Sequence, residues 1–168
     1  MPITCIVGII YVAIRVVIVK RNMIKVEWPK EIIKLLFICY LTGLISLVVF
    51  PVNFWVECFN GVFSGWWSVG QFSLVPSFIK VLLGELTIDR WGITMLIWNI
   101  VMFLPLGFFL PFVTERVNKN NIFVVAIVVP LFIELWQVFI GRSFDVDDLI
   151  CNYLGIITGF FVGHAIHR

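Results

Sequence analysis

The sequence predicts an all-α, polytopic transmembrane bundle of about five spans, and three observations carry that prediction. The 168 residues are 61% hydrophobic and only 13% charged, with mean hydropathy +1.08, whereas a soluble domain is nearer half apolar and about a quarter charged. The apolar residues gather into five runs, each about long enough to cross ~30 Å of hydrocarbon at ~1.5 Å per residue. The basic residues fall between those runs and form no nucleic-acid patch, and the net charge of +2 is small.

The first run, residues 3–19, reads as a retained helix. No positive region precedes it, and no small-residue cleavage site comes before the basic cluster Lys20, Arg21 and Lys25. Arg15 lies one turn from that basic end and is expected to snorkel to the headgroups. The second run, 32–50, stops at Pro51. The third, 91–113, contains Pro105 and Gly107, which predict a kink and a freed carbonyl near Met102. The fourth is 122–140 and the fifth 149–166. Along the fifth, Gly155, Gly159 and Gly163 recur every four residues. That stripe lets another helix approach closely, so these glycines are expected to serve packing. Residues 1–168 are read as one membrane domain.

The connections set the orientation. Lys20, Arg21, Lys25, Lys30 and Lys34 cluster at the first connection, Arg116 and Lys119 at the third, and His167 and Arg168 at the C-terminus. Positive-inside bias puts these in the cytoplasm, the N-terminus outside, and the Arg142 loop outside. The second connection, 52–90, is then external. It holds Phe54, Trp55, Phe59, Phe63, Trp66, Trp67, Phe72 and Phe78 and little charge, a composition that suits the membrane interface. Gly61, Gly65 and Gly70 argue against a continuous sixth span. Residues 77–87 are expected to form a short helix that either lies on the outer leaflet or re-enters it against protein.

Chemistry-bearing residues converge at one level. Asn99 lies about two turns into the third run from its external end, and Glu134 a similar distance into the fourth. Gln137 follows one turn further out on nearly the same face, and Asp148 and Asn152 share a face at the start of the fifth. Ionisable groups in hydrocarbon are costly and usually face an interior or a wet cavity. The joining loop adds Arg142 and Asp145. Each residue also has a plainer reading. Asp148 and Asp147 suit a helix cap. Arg142 suits a pair with Asp145 or Asp148, worth about 0–1 kcal/mol if exposed. Asn99 and Gln137 suit interhelical hydrogen bonds, and Trp98 and Trp136 suit packing. For Glu134 a site is the better reading.

Cys5, Cys39, Cys58 and Cys151 match no zinc or CxxC spacing, and no disulfide framework is expected. There is no HExxH, P-loop or serine elbow. His164 and His167 lie a membrane width from Glu134. No metal and no cofactor are expected.

The run Asn99 … Phe103-Leu-Pro105-Leu-Gly107-Phe … Pro111, then Glu134 … Gln137 … Gly141-Arg142 … Asp145 … Asp148 … Asn152 … Gly155 … Gly159, resembles the VanZ-like family. The motif-bearing part is 91–163. A further family motif has a degraded counterpart at Ser73-Leu-Val-Pro76-Ser-Phe78, where Ser73 replaces an Asn and one extra residue separates Pro76 from Phe78. The resemblance implies an integral bacterial membrane protein of a family whose founding member is linked to teicoplanin resistance.

Three readings of function follow. In the first, a binding pocket of Asn99, Glu134, Gln137, Arg142, Asp145, Asp148 and Asn152 engages an anionic envelope lipid or a glycopeptide at the outer leaflet. In it Arg142 is the anchor, because its fork matches phosphate or carboxylate. In the second, the protein is a hydrolase or transferase acting on a lipid-linked envelope substrate. Glu134 or Asp148 would then be the general base and Arg142 would stabilise developing charge. In the third, the polar set only locks the bundle. The expected partners are the bilayer and such a ligand, with no nucleic acid.

Overall fold

The apolar runs become helices. The computed structural model describes residues 2–23, 26–50, 54–61, 69–84, 86–87 and 89–167. Lys25, Pro51, Val52, Phe63, Gly65, Trp66, Trp67 and Arg168 lie outside the described residues. The helices are α1 (Pro2–Asn22), α2 (Trp28–Val48), α3 (Phe54–Asn60), α4 (Ser77–Leu82), α5 (Arg90–Val113), α6 (Ile122–Phe139) and α7 (Val146–His167). The strands β1 (Phe72–Ser73) and β2 (Phe144–Asp145) are two residues each.

Among the described residues four helices, α2, α5, α6 and α7, are long and apolar enough to cross a membrane, with mean hydropathies of 2.0, 2.1, 2.4 and 1.7. The chain is therefore a multi-pass membrane protein. Helix α1 has 21 residues and also reaches spanning length, but it carries Arg15, Lys20 and Arg21 and is less uniformly apolar. The outer faces of the helices are greasy, with Ile9, Val17, Trp98 and Phe132 each more than half exposed. Lipid, not water, is the solvent that such surfaces fit.

Local signals explain where the helices begin and end. Pro29 stands at the start of α2, where its missing N–H costs nothing. The Asp89 side chain accepts the Gly92 N–H at 2.8 Å and caps α5. At the end of α6, Gly141 adopts φ +79°. Its N–H reaches the Val138 carbonyl at 3.3 Å, and the Arg142 N–H reaches the Gln137 carbonyl at 2.9 Å. These two bonds form a Schellman motif, which a glycine in the left-handed region makes cheap.

Among the described elements, α5 and α7 make the most extensive contact, and glycine is the reason. A Cβ on Gly159 would meet the Leu104 carbonyl oxygen at 2.0 Å, and one on Gly107 would meet the Ile156 carbonyl oxygen at 2.0 Å. Gly155 and Gly163 are similarly crowded by Ile100 and Phe108. The stripe serves close backbone packing, where dispersion and weak Cα–H···O contacts replace the hydrophobic effect. Phe103, Ile156 and Phe160 are fully buried along this seam, with Ile122 and Ala126 from α6. Pro105 lies inside α5. One residue beyond the carbonyl it cannot reach, the Tyr40 hydroxyl donates to the Met102 carbonyl at 2.7 Å and ties α2 to α5.

Two expectations gain detail. Arg15 has a protein partner: its Nε donates to Glu31 Oε2 at 2.7 Å and its Nη2 to Oε1, linking α1 to α2. A bidentate partner on the neighbouring helix offers Arg15 more than solvated headgroups do. The 52–90 connection also does more than rest at an interface. Its β1 pairs in parallel with β2, Phe72 opposite Phe144 and Ser73 opposite Asp145, and α4 covers only the first half of the expected 77–87 helix. The four cysteines are free, with Cys151 buried.

Candidate functional site

The C-terminal ends of α2 and α6, the N-terminal part of α7 and one face of α5 enclose a cavity of about 210 Å³. Asn99, Glu134, Gln137, Arg142, Asp148 and Asn152 line it, with Leu47, Val48, Met102, Phe103 and Ile133 as its apolar walls. Six of the seven residues expected to form a pocket thus meet around one space, drawn from three helices and a loop.

Every one of these side chains except Asn152 is held by an identifiable partner. Glu134 is 1% exposed, and its Oε2 accepts the Asp145 N–H at 3.2 Å. That bond fixes the entry of the chain into α7. Gln137 Nε2 donates to the Val48 carbonyl at 3.1 Å, and Trp136 Nε1 donates to the Val49 carbonyl at 2.8 Å. Both satisfy orphan carbonyls at the end of α2. The Schellman turn aims Arg142 back over the same helix end, where Nη1 donates to the Leu47 carbonyl at 3.4 Å. A cation there suits the helix dipole. Asn99 Nδ2 on α5 donates to Asp148 Oδ1 on α7. One turn further along α7, Asn152 is 3% exposed. Its Oδ1 is the one side-chain oxygen or nitrogen that, among the described residues, is buried with no hydrogen-bond partner.

The aspartates divide their work differently from the sequence expectation. Asp145 is the cap of α7, since its Oδ1 accepts the Asp147 N–H at 2.9 Å. It therefore sits at the rim and does not line the cavity. The buried Asp147 carboxylate turns to α4 instead, accepting the Ser77 N–H at 2.9 and 3.1 Å and holding the start of that helix. Asp148, relieved of capping, faces Asn99. Arg142 makes no direct ion pair with Asp145 or Asp148; the ion pairs among the described residues are Arg15–Glu31, Lys30–Glu27 and Lys34–Glu31. Among the described residues, no group of three or more His, Cys, Asp or Glu side chains is placed to hold a metal ion.

Sequence reasoning missed the strap over this end. Gly70 donates its N–H to the Val138 carbonyl at 2.9 Å, and Phe144 donates to the Gln71 carbonyl at 2.8 Å. A Cβ on Gly70 would lie 1.8 Å from the Arg142 carbonyl oxygen. No side chain fits there, so Gly70 lets the segment 69–84 lie on the Arg142 turn. The signal was present in Gly70 and in Ser73 to Phe78, but nothing local ties those residues to a partner so distant in the chain.

Chemically, the cavity offers one guanidinium with donors to spare and several oxygen acceptors. Such a set is chemically complementary to a small group that carries both charge and hydrogen-bond donors. Fold and site together define a polytopic helical membrane protein with a polar cavity at one end of its bundle. Residues 37–167 match the family model described as VanZ/LLP1. The chain belongs to the VanZ/LLP1 family. No curated protein and no solved structure matches it.

Proposed function

We propose that the cavity binds the phosphate-bearing headgroup of an envelope lipid at the outer leaflet of a bacterial cell membrane. Occupancy lowers susceptibility to glycopeptide antibiotics such as teicoplanin. The observation that carries this reading is the meeting of Asn99, Glu134, Gln137, Arg142, Asp148 and Asn152 around one space of about 210 Å³. Drug-sized ligands fill roughly 300–1,000 Å³, so the cavity suits a headgroup better than a whole glycopeptide. Arg142 supplies the phosphate contact, since one of its five donors is used on Leu47 and it makes no ion pair among the described residues. An outward-facing cavity follows from the positive-inside reading of the loops.

The test is expression in a teicoplanin-sensitive bacterium, with susceptibility and membrane abundance measured together. Wild type raises the inhibitory concentration, and Arg142→Ala and Glu134→Ala return it to the empty-vector level at normal abundance. Both variants protecting as well as wild type would end this reading. Loss of protection only in proportion to lost abundance would mean that the polar set merely locks the bundle.

A hydrolase or transferase acting on a lipid-linked precursor is the second reading, favoured by Glu134 and Asp148 lining the same cavity as Arg142. Mass spectrometry of a precursor incubated with purified protein separates the two: conversion supports catalysis, and an unchanged precursor supports binding.

A further inference from the structure

The acceptor side of the cavity is richer than a phosphate needs. Two carboxylates, Glu134 and Asp148, outnumber the single guanidinium of Arg142 around the same space. Each carboxylate is engaged by one donor from the protein, the Asp145 N–H or Asn99 Nδ2. A carboxylate offers about four lone-pair sites, so both retain accepting capacity. Beside them the Asn152 Oδ1 is buried with no partner among the described residues. Its residue is 3% exposed and lines the cavity wall. An acceptor in that position is expensive to leave unmade. A phosphate brings only more acceptors and cannot serve it.

We infer that the ligand is zwitterionic, with an anionic phosphate on Arg142 and a primary ammonium seated among Glu134, Asp148 and Asn152 Oδ1. This inference rests on the proposed headgroup pocket and adds the chemistry of its acceptor side. A primary ammonium carries three N–H donors and no acceptor. Glu134, Asp148 and Asn152 present three acceptors from two helices, which is the complementary set. A trimethylammonium has the charge but no donor. A glycerol hydroxyl has a donor but no charge to offset the surplus of acids. The subsite therefore selects by donors and charge together, and an uncompensated acceptor penalises the wrong headgroup.

The test uses purified full-length protein in detergent and three lipids with identical acyl chains. Their headgroups are phosphoethanolamine, phosphocholine and phosphoglycerol, and native mass spectrometry reads the affinity of each. Phosphoethanolamine binds about tenfold tighter or more than the other two, as expected for hydrogen bonds to charged groups. Arg142→Ala weakens all three. Asn152→Leu removes the preference, weakening phosphoethanolamine more than phosphoglycerol, and Asn152→Asp keeps it. Thermal melting in detergent checks that each variant folds; should Asn152→Leu fail to fold, the wild-type headgroup series and Asn152→Asp decide.

Equal, Arg142-dependent binding of all three lipids overturns the ammonium subsite and leaves the phosphate pocket standing. So does an Asn152→Leu protein that folds and keeps the preference. Absence of any Arg142-dependent binding overturns both.

Discussion

Arg15 and Glu31 close on each other near the N-terminal end of α2, while at its C-terminal end Arg142 stands apart from Glu134 and Asp148. Both places put an arginine beside carboxylates in helices of a membrane protein. At the first, two nitrogens of Arg15 meet both oxygens of Glu31, Tyr11 adds a hydroxyl at 3.4 Å, and the charges satisfy one another. A neighbouring groove of about 290 Å³ has mainly aliphatic walls and contains that closed pair. At the second, each carboxylate is held by an amide donor, the guanidinium rests on a backbone carbonyl, and an amide oxygen is left over. The difference separates structure from site. A self-satisfied pair needs nothing further, whereas groups held apart around a space are, on the proposed function, free to receive a ligand.

That contrast is open to attack at several points. The largest expected effect comes from the seam that holds the site together. Gly159→Val forces a side chain against the Leu104 carbonyl, which a Cβ would meet at 2.0 Å, whereas Gly43 on α2 has nothing within 4 Å. Gly159→Val should therefore remove most of the protein from membranes, and Gly43→Val should leave its level near wild type, as read by quantitative immunoblotting. Equal levels would mean that α5 and α7 do not depend on their close approach.

Next comes Arg142→Lys. Lysine keeps the charge and loses the planar fork, so phosphate-headgroup affinity should fall about tenfold while the melting temperature in detergent holds. The converse change is Glu31→Gln, which strands Arg15. It should lower the melting temperature and leave headgroup binding intact. The Arg15 and Glu31 side chains are 29% and 17% exposed, so solvent screens part of the loss. An exchange of these two outcomes would invert the assignment of structure and site.

The smallest effect is at the rim. Asp145→Ala removes the cap of α7 and should cost about 1 kcal/mol, visible as a modest drop in melting temperature with little change in affinity. A loss of binding as severe as that of Arg142→Ala would move Asp145 from the rim into the pocket.

The sequence was readable where the signal is local and periodic. Hydropathy marked the long helices, and the glycine spacing marked the α7 seam. Depth counting placed Asn99, Glu134, Gln137, Asp148 and Asn152 at one level, where the cavity lies. Partner choice was not readable. Asp145, Asp147 and Asp148 are interchangeable as capping candidates by composition. Only the turn geometry after Gly141 decides that Asp145 caps, Asp147 reaches Ser77 and Asp148 meets Asn99. The pairing of β1 with β2 was hidden for a related reason. Two-residue strands carry no alternation to detect, and their partners are far apart in the chain. Arg15 was given lipid as its partner, because nothing near it in the sequence announces Glu31.

The most direct measurement of the central claim is a cryo-EM map of the protein in nanodiscs of mixed phosphoethanolamine and phosphoglycerol lipids. The account predicts headgroup density in the cavity, bridging Arg142 and Asn152, with both carboxylates turned toward it. An Arg142 folded onto Glu134 or Asp148, as Arg15 is onto Glu31, over a closed and empty cavity would contradict it.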